Sequence, residues 1–337
     1  MSEGSVSISV VIPAYDAQET VEECLTALSK QTIPRTEYEI IVVDDGSTDA
    51  TAEIAARHGA VVLRQPNSGP AVARNKGTAA ARGPIVLFTD ADCAPVSDWI
   101  EQMVAPLRDP QVAGVKGVYR TRQKNRTARF IQIEYEDRYD HTARSHHVDF
   151  IDTYAAGYRR DILLASGGFD AHFPFASVED QELSFRLAEA GHLMVFVPQG
   201  IVYHHHPESW LRYAQRKYKI GYWKTLVLHL HPNKVWRDTH TPGVLKLQLL
   251  LAAVSAPVAM ASIFIRPIQW VLAGVLGIFG ASALPFLIKA WRKDRVVALL
   301  SLPVLYVRAW SLGLGLLAGY ASLRLKKVLL AQAAHQE

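Results

Sequence analysis

Residues 87–95 read "LFTDADCAP", with two aspartates, Asp90 and Asp92, one residue apart where an apolar run gives way to a loop. On an extended chain they would share a face and repel. Hard carboxylate oxygens at this spacing suit a divalent cation, Mg²⁺ or Mn²⁺, which keeps some waters and takes phosphate oxygens as its remaining ligands. Alone, the pattern also describes a solvated turn. Three further groupings carry chemistry. Asp44 and Asp45 close the run "YEIIVV", where they can also cap an Asx-type turn before Gly46. Glu179 and Asp180 head "EDQELSFRLAEAG". Acids there favour a helix N-terminus by about 0.3–1 kcal/mol. His204, His205 and His206 follow another apolar run. Alternation puts His204 and His206 on one face and His205 on the other, so not all three can ligate a metal; His204 is the first candidate.

The elements that must hold these groups follow from periodicity. "SISVVI", "YEIIVVDDG", "AVVLRQ" and "PIVLFTDAD" read as strands rich in β-branched residues. Between them lie helical patterns: Val21, Cys24, Leu25 and Leu28 with Asp16 as a cap, "DATAEIAARHG" stopped by Gly59, and a helix opened by Gly69-Pro70. Alternating strands and helices imply right-handed crossovers and a mainly parallel sheet. Ligands of such sheets gather at the carboxyl ends of strands, where the aspartates fall. Further on, the pattern gives a helix near Trp99–Leu107, a strand at "VAGVKGVYRT", a charged helix around Thr127–His141, a helix from Glu179 and a strand at "LMVFVP".

The 337 residues suffice for one large or two moderate domains, and the net charge of +4 has a local source. Between Leu211 and Thr239 lie Arg212, Arg216, Lys217, Lys219, Lys224, Lys234 and Arg237 against Asp238, interleaved with Trp210, Tyr213, Tyr218, Tyr222, Trp223 and Trp236. Next to an apolar segment this mixture fits a helix on an anionic membrane face, and not a nucleic-acid partner. Val244–Ile265 and Ile268–Ile288 are each near the ~20 residues that span a bilayer, and Arg266-Pro267 makes them a hairpin. Val296–Leu323 holds Pro303 and Arg308, so it either spans or re-enters. The basic groups before the first span and after the second (Lys289, Arg292, Lys293, Arg295) can both be cytoplasmic. Arg324, Lys326 and Lys327 would be cytoplasmic only with re-entry. Two isolated cysteines, Cys24 and Cys93, argue against a disulfide framework, and the N-terminus lacks the pattern of a cleaved signal peptide. The expected division is 1–206, a catalytic α/β domain; 207–243, interface helices; and 244–325, a membrane region.

In order, "VVIPAYDAQETV", "IIVVDDGSTDAT", "NSGPAVARNKG", "FTDADCAP" and "GGFDAHFPFASVEDQELSFRLAEAG" resemble the family 2 glycosyltransferases. The resemblance covers roughly Ser7 to His206. It implies the nucleotide-sugar-binding GT-A fold and an inverting, metal-dependent transfer from a nucleoside-diphosphate sugar, UDP first among the bases. By the same resemblance, Pro13, Ala14 and Tyr15 line the base and ribose, and Asp45, with Asp44, accepts from a base N–H. Arg74 approaches the base or phosphates, Asp90 meets the ribose or metal, Asp92 ligates Mg²⁺ or Mn²⁺ with His204, and Asp180, beside Glu179, is the general base. Relatives that glycosylate polyprenyl phosphate generally lack the acidic pair, so the expected acceptor is a hydroxyl of a lipid-linked compound or glycan at the inner membrane. The catalytic domain would face the cytoplasm, with membrane lipids as partners. Processive synthases carry Q-x-x-R-W about here; "QRKYKIGYW" has Tyr218 and Lys219 instead, which weighs against polymerisation. The rival readings are a polyprenyl-phosphate sugar transferase, a polysaccharide synthase, a nucleotidyltransferase, for which no glycine-rich basic loop is found, and a silent scaffold.

Overall fold

A computed structural model describes residues 6–173, 178–235, 239 and 241–334, with side chains as far as Arg324. The positions Trp236, Arg237 and Asp238, and the side chains of Lys326 and Lys327, lie outside the described residues. The chain forms two compact units, one of Met1–Gln123 with Tyr139–His205, the other of Lys124–Arg138 with His206–Glu337.

The first unit is built on strands β1 (Ile8–Ala14), β2 (Tyr38–Asp44), β3 (Val61–Arg64) and β4 (Ile85–Phe88), alternating with helices α1 (Val21–Ser29), α2 (Thr51–Arg57) and α3 (Pro70–Ala80). After β5 (Cys93–Pro95) and α4 (Trp99–Val104) come β6 (Val112–Arg120), β7 (Ala156–Arg159), α6 (Arg160–Ala165), α7 (Glu179–Glu189) and β8 (Leu193–His204); α5 (Arg126–Thr142), between β6 and β7 in the chain, belongs to the second unit as far as Arg138. Eight strands form one sheet in the order β3-β2-β1-β4-β7-β6-β8-β5. The first four pair in parallel, as the alternation requires. β7 runs antiparallel between β4 and β6, and β5 antiparallel on β8. Every residue of β2 is buried, as expected for a strand covered on both faces. Val11, Val43, Phe88, Ala156 and Leu183 belong to one buried cluster.

The expected cap of α1 is corrected. Thr20 occupies the N-cap position and no side chain caps the helix. Asp16 sits at φ 44° and accepts from the Thr48 backbone N–H at 2.8 Å, while its own N–H donates to Ser47 Oγ at 3.0 Å. Long-range bonds to the turn after β2 outcompete the local cap.

The second unit contains α8 (Trp210–Leu230), α9 (Gly243–Phe264), α10 (Ile268–Lys293) and α11 (Arg295–Ala334). The last three are long and apolar enough to cross a membrane. α11 is one helix through Pro303, a form that apolar helices tolerate, so re-entry by a helix break at that proline is not its conformation. α8 packs along α11 as well as carrying charge. A Cβ on Gly221, Gly315 or Gly319 would run into the Leu312, Tyr218 or Tyr222 carbonyl oxygen, so only glycine allows this approach. Thr225 Oγ1 donates to Leu316 O at 3.1 Å across it. Arg308 faces protein, with Nη2 donating to Gln248 Oε1 at 2.7 Å and Nη1 3.4 Å from Glu134 Oε1. Two basic residues of the last turns of α10 meet acids of α5: Lys293 pairs with Glu136, and Lys289 lies 3.7 Å from Asp137.

Candidate functional site

Parallel pairing brings the carboxyl ends of β2, β1 and β4 side by side. Ala14 lies opposite Asp44 in register, and the Asp45 N–H donates to Ala14 O at 2.8 Å. Pro13 and Ala14 end β1, and Tyr15 just beyond is 52% exposed, a ring open to a ligand. Asp44 accepts from the Ser47 N–H at 3.0 Å, the Asx-type turn expected before Gly46. Asp45 is buried and accepts three bonds: from Gln65 Nε2 at 2.7 Å, Ser68 N at 2.8 Å and Gly69 N at 2.8 Å. A carboxylate offers about four acceptor positions, so among the described residues one is left open. Asp45 therefore anchors the loop that leads into α3.

Arg74, on the buried face of α3, is not an extended arm toward a ligand. Its side chain is 3% exposed; Nη1 donates to Glu179 Oε1 at 2.8 Å and Nη2 to Asp90 Oδ1 at 3.1 Å. The Phe169 ring lies 5.6 Å from its Cζ. Charge from Asp90 and Glu179 holds the guanidinium protonated against burial. The cation beside Asp90 is thus Arg74, and it joins the end of β4 to the start of α7. Asn75, one residue on, clamps the loop before α7 by donating to Phe169 O at 2.7 Å and accepting from Phe169 N at 2.8 Å. Gly168 sits there at φ 70°, where a Cβ would collide with the Asn75 side chain.

Asp92 turns the other way. Its Oδ2 lies 3.4 Å from His204 Nδ1, on the last residue of β8. Cys93 Sγ is 3.9 Å from the same nitrogen, and the three ligand atoms lie within 4.8 Å of one another. Burial, then Asp92 and Asp90, push the Cys93 thiol well above its usual range, and hard Mg²⁺ or Mn²⁺ favours the carboxylate oxygen and the imidazole nitrogen over sulfur. That pair fits Mn²⁺ or Mg²⁺ completed by phosphate and water. His204 is buried and stacks on Tyr119, centroids 4.4 Å apart, which fixes its ring. His205 is exposed, 3.7 Å from Glu23; His206 is buried in the second unit, where Nε2 meets Gln132 Oε1 at 3.1 Å. The three histidines have three environments, and His204 is the one beside Asp92.

Asp180 opens α7. Its Oδ2 accepts from the Thr153 N–H at 3.4 Å, and Ser184 Oγ binds the Asp180 carbonyl at 2.6 Å and accepts from Ile151 N at 3.0 Å. Burial, then the charges of Glu179 and Asp152, raise the Asp180 carboxyl well above its ordinary value, against Arg74. A raised carboxyl is the state a proton acceptor needs to work near neutral pH.

Sequence reasoning missed Lys116 and Asp152. Lys116 Nζ pairs with Asp152 Oδ2 at 2.7 Å and lies 4.5 Å from the Phe150 ring centroid. Tyr154 donates to Asp152 at 3.1 Å, shares a 2.8 Å bond with Tyr139 and stacks on Tyr119. A lysine inside the strand "VAGVKGVY" was the available signal, since a fully buried lysine is almost always paired.

Residues 9–165 match the family described as glycosyl transferase family 2. Glycosyltransferase AglE of Haloferax volcanii is 36% identical over 116 residues, 33% of this chain and 38% of that protein. The pre-mycofactocin glycosyltransferase of Mycobacterium tuberculosis is 28% identical over 268 residues, 77% of this chain and 55% of its own length. The chain thus spans about half or less of these relatives. Mannosyltransferase PcManGT from Pyrobaculum calidifontis, solved in complex with GDP-Man and Mn²⁺, superposes with a TM-score of 0.61 at 21% identity, over 93% of this chain and 86% of that one. At this identity the likeness is one of fold.

Proposed function

Residues 9–165 belong to glycosyl transferase family 2, and from that premise we propose that the chain transfers one sugar, with inversion, from a nucleoside-diphosphate sugar to a hydroxyl of a lipid-linked or glycan acceptor. The observation that carries this reading is the Arg74 bridge, because one buried guanidinium ties the aspartate at the end of β4 to the acidic pair at the start of α7. A donor end and a proton acceptor thereby share one rigid anchor.

In this reading Tyr15 stacks on the base, and the free acceptor position of Asp45 takes a base N–H. Asp92 and His204 hold a divalent cation, Mn²⁺ ahead of Mg²⁺ because one donor is an imidazole. Bound there, the cation would neutralise the diphosphate as it leaves. Asp180 removes the acceptor hydroxyl proton as that oxygen bonds to the anomeric carbon and the bond to the diphosphate breaks. Lys116 holds Asp152, which flanks Asp180 and keeps its carboxyl basic. We place the first unit on the cytoplasmic face of an inner membrane crossed by α9, α10 and α11.

The test is transfer by the full chain in lipid. UDP-, GDP- and dTDP-sugars would be screened with Mn²⁺, Mg²⁺ or EDTA, GDP-mannose included because the Pyrobaculum enzyme binds it. The proposal expects metal-dependent release of nucleoside diphosphate, lost in Asp92→Ala, and a loss of transfer without loss of donor binding in Asp180→Asn. Normal transfer by Asp180→Asn to polyprenyl phosphate would replace the hydroxyl acceptor by an ionised phosphate.

A further inference from the structure

The register of the short strand β5 decides which donor atoms meet. Cys93 lies directly opposite His204 across the antiparallel β5–β8 pair, so the two side chains leave the sheet on one face as neighbours. The Cys93 N–H donates to Asp90 O at 3.0 Å, which closes the turn that carries Asp92. Cys93 is 1% exposed and His204 7%, while the Asp92 side chain is 42% exposed. Two donors are thus held by buried strand pairing, and the third meets solvent.

The donor atoms are spaced as a small cation would space them. Asp92 Oδ2 lies 3.4 Å from His204 Nδ1, Cys93 Sγ 3.6 Å from Asp92 Oδ1, and Sγ 3.9 Å from Nδ1. Tetrahedral Zn²⁺, about 2.3 Å from sulfur and about 2.0–2.2 Å from nitrogen or oxygen, sets its donors about 3.3–3.7 Å apart. The contacts use different oxygens of Asp92; with one donor atom from each residue all three lie within 4.8 Å of one another, and a turn of the half-exposed carboxylate closes the rest. Mn²⁺ and Mg²⁺ pass over the sulfur, but thiolate and imidazole together select softer cations, Zn²⁺ first.

We propose that Cys93 makes this a thiophilic-cation site, in which Zn²⁺ binds Asp92, Cys93 and His204 together and displaces the Mn²⁺ held by Asp92 and His204 alone. The metal takes the place of the thiol proton, which leaves to solvent: Cys–SH and M²⁺ give Cys–S–M⁺ and H⁺. An octahedral cation on two protein donors keeps about four positions for phosphate and water, whereas tetrahedral Zn²⁺ on three keeps about one. Zn²⁺ therefore fills the site without leaving room for a diphosphate to chelate it, and acts as an inhibitor. This rests on the reading of Asp92 and His204 as metal donors. It needs neither the sugar nor the acceptor, and its test omits both.

The experiment is metal binding by the full chain in neutral detergent, first stripped with a chelator, with Co²⁺ as the coloured stand-in for Zn²⁺. Wild type, Cys93→Ser and Cys24→Ala would be titrated with Co²⁺ by absorbance, and with Zn²⁺ and Mn²⁺ by calorimetry. Wild type and Cys24→Ala should show a thiolate-to-Co²⁺ charge-transfer band and intense tetrahedral visible bands, both bleached by Zn²⁺; Cys93→Ser should show neither. Cys93→Ser should lose about tenfold or more in Zn²⁺ affinity, since losing even a residue that only orients a ligand costs that much. It should still bind Mn²⁺, which reports that it is folded. Binding of Mn²⁺ and Co²⁺ with no thiolate band, or a Zn²⁺ affinity unchanged in Cys93→Ser, overturns the proposal and leaves the two-donor Mn²⁺ site standing. Binding of neither Mn²⁺ nor Co²⁺ by wild type overturns both.

Discussion

Replacing Arg74 by methionine keeps much of its volume and removes its charge. Glu179, 2% exposed, then loses a 2.8 Å charge-assisted bond, and Asp90, 29% exposed, loses one of 3.1 Å. Breaking a fully buried pair costs about 3–5 kcal/mol, because the remaining charge stays desolvated. The Asp90 leg is partly screened by water and adds about 0–1 kcal/mol. A loss near 4 kcal/mol lowers the midpoint of a unit of 150–250 residues by about 8–16 °C, at about 2–4 °C per kcal/mol. The assay is thermal unfolding of Arg74→Met, Glu179→Gln and the double variant. Once Glu179 is neutral, most of the cost of Arg74→Met disappears, so the cycle should show a coupling of about 2–3 kcal/mol. Effects that add to within about 0.5 kcal/mol would refute the bridge as the link between β4 and α7.

Three further outcomes are expected. Asp180 has a raised carboxyl, so the folded state binds its proton more tightly, and stability is lost as pH rises from the ordinary value near ~3.9 through the raised one. Asp180→Asn should therefore melt above wild type at pH 8 and level with it at pH 4, and wild-type transfer should rise with pH across the same window. EDTA should abolish transfer and Mn²⁺ restore it, with His204→Gln weakening Mn²⁺ about tenfold or more in a calorimetric titration and exposed His205→Gln leaving it unchanged. Gly315→Ala drives a methyl into the Tyr218 carbonyl and should destabilise by about 1–3 kcal/mol. Gly274→Ala meets nothing within 4 Å and should be neutral or stabilising by up to ~1 kcal/mol in a denaturant series.

What could be read in the sequence were the local patterns. The strands ending in Asp44 and near Asp90, the helix opened by Pro70 and the helix headed by Glu179 follow from periodicity and breakers. Alternation parted His204 and His206 from His205 without choosing a ligand, and the structure sets His204 beside Asp92. The partners of charges were hidden, because they are set by packing over long separations. Arg74 meets Glu179 across 105 residues, and Arg308 meets Glu134 across 174. Arg74 could be read as a hand for phosphate because its type suits that task, while its burial on α3 was invisible. The stretch "RTARFIQIEYEDRYD" read as a charged helix, yet its acids answer lysines of α8 and α10.

The glycine-lined contact of α8 with α11 also sets a timetable. The Thr225 to Leu316 bond joins residues 91 apart in the chain. At synthesis rates of about 5–20 residues per second, α8 waits about 5–18 s for its partner. During that interval the α9–α10 hairpin, formed from sequence neighbours, is complete while the side of α8 that will meet α11 is bare. A nascent chain stalled before Leu312 would carry an unsheathed helix, and quality control has that window in which to reject it. α11, made after α9 and α10, is therefore the helix that locks α8.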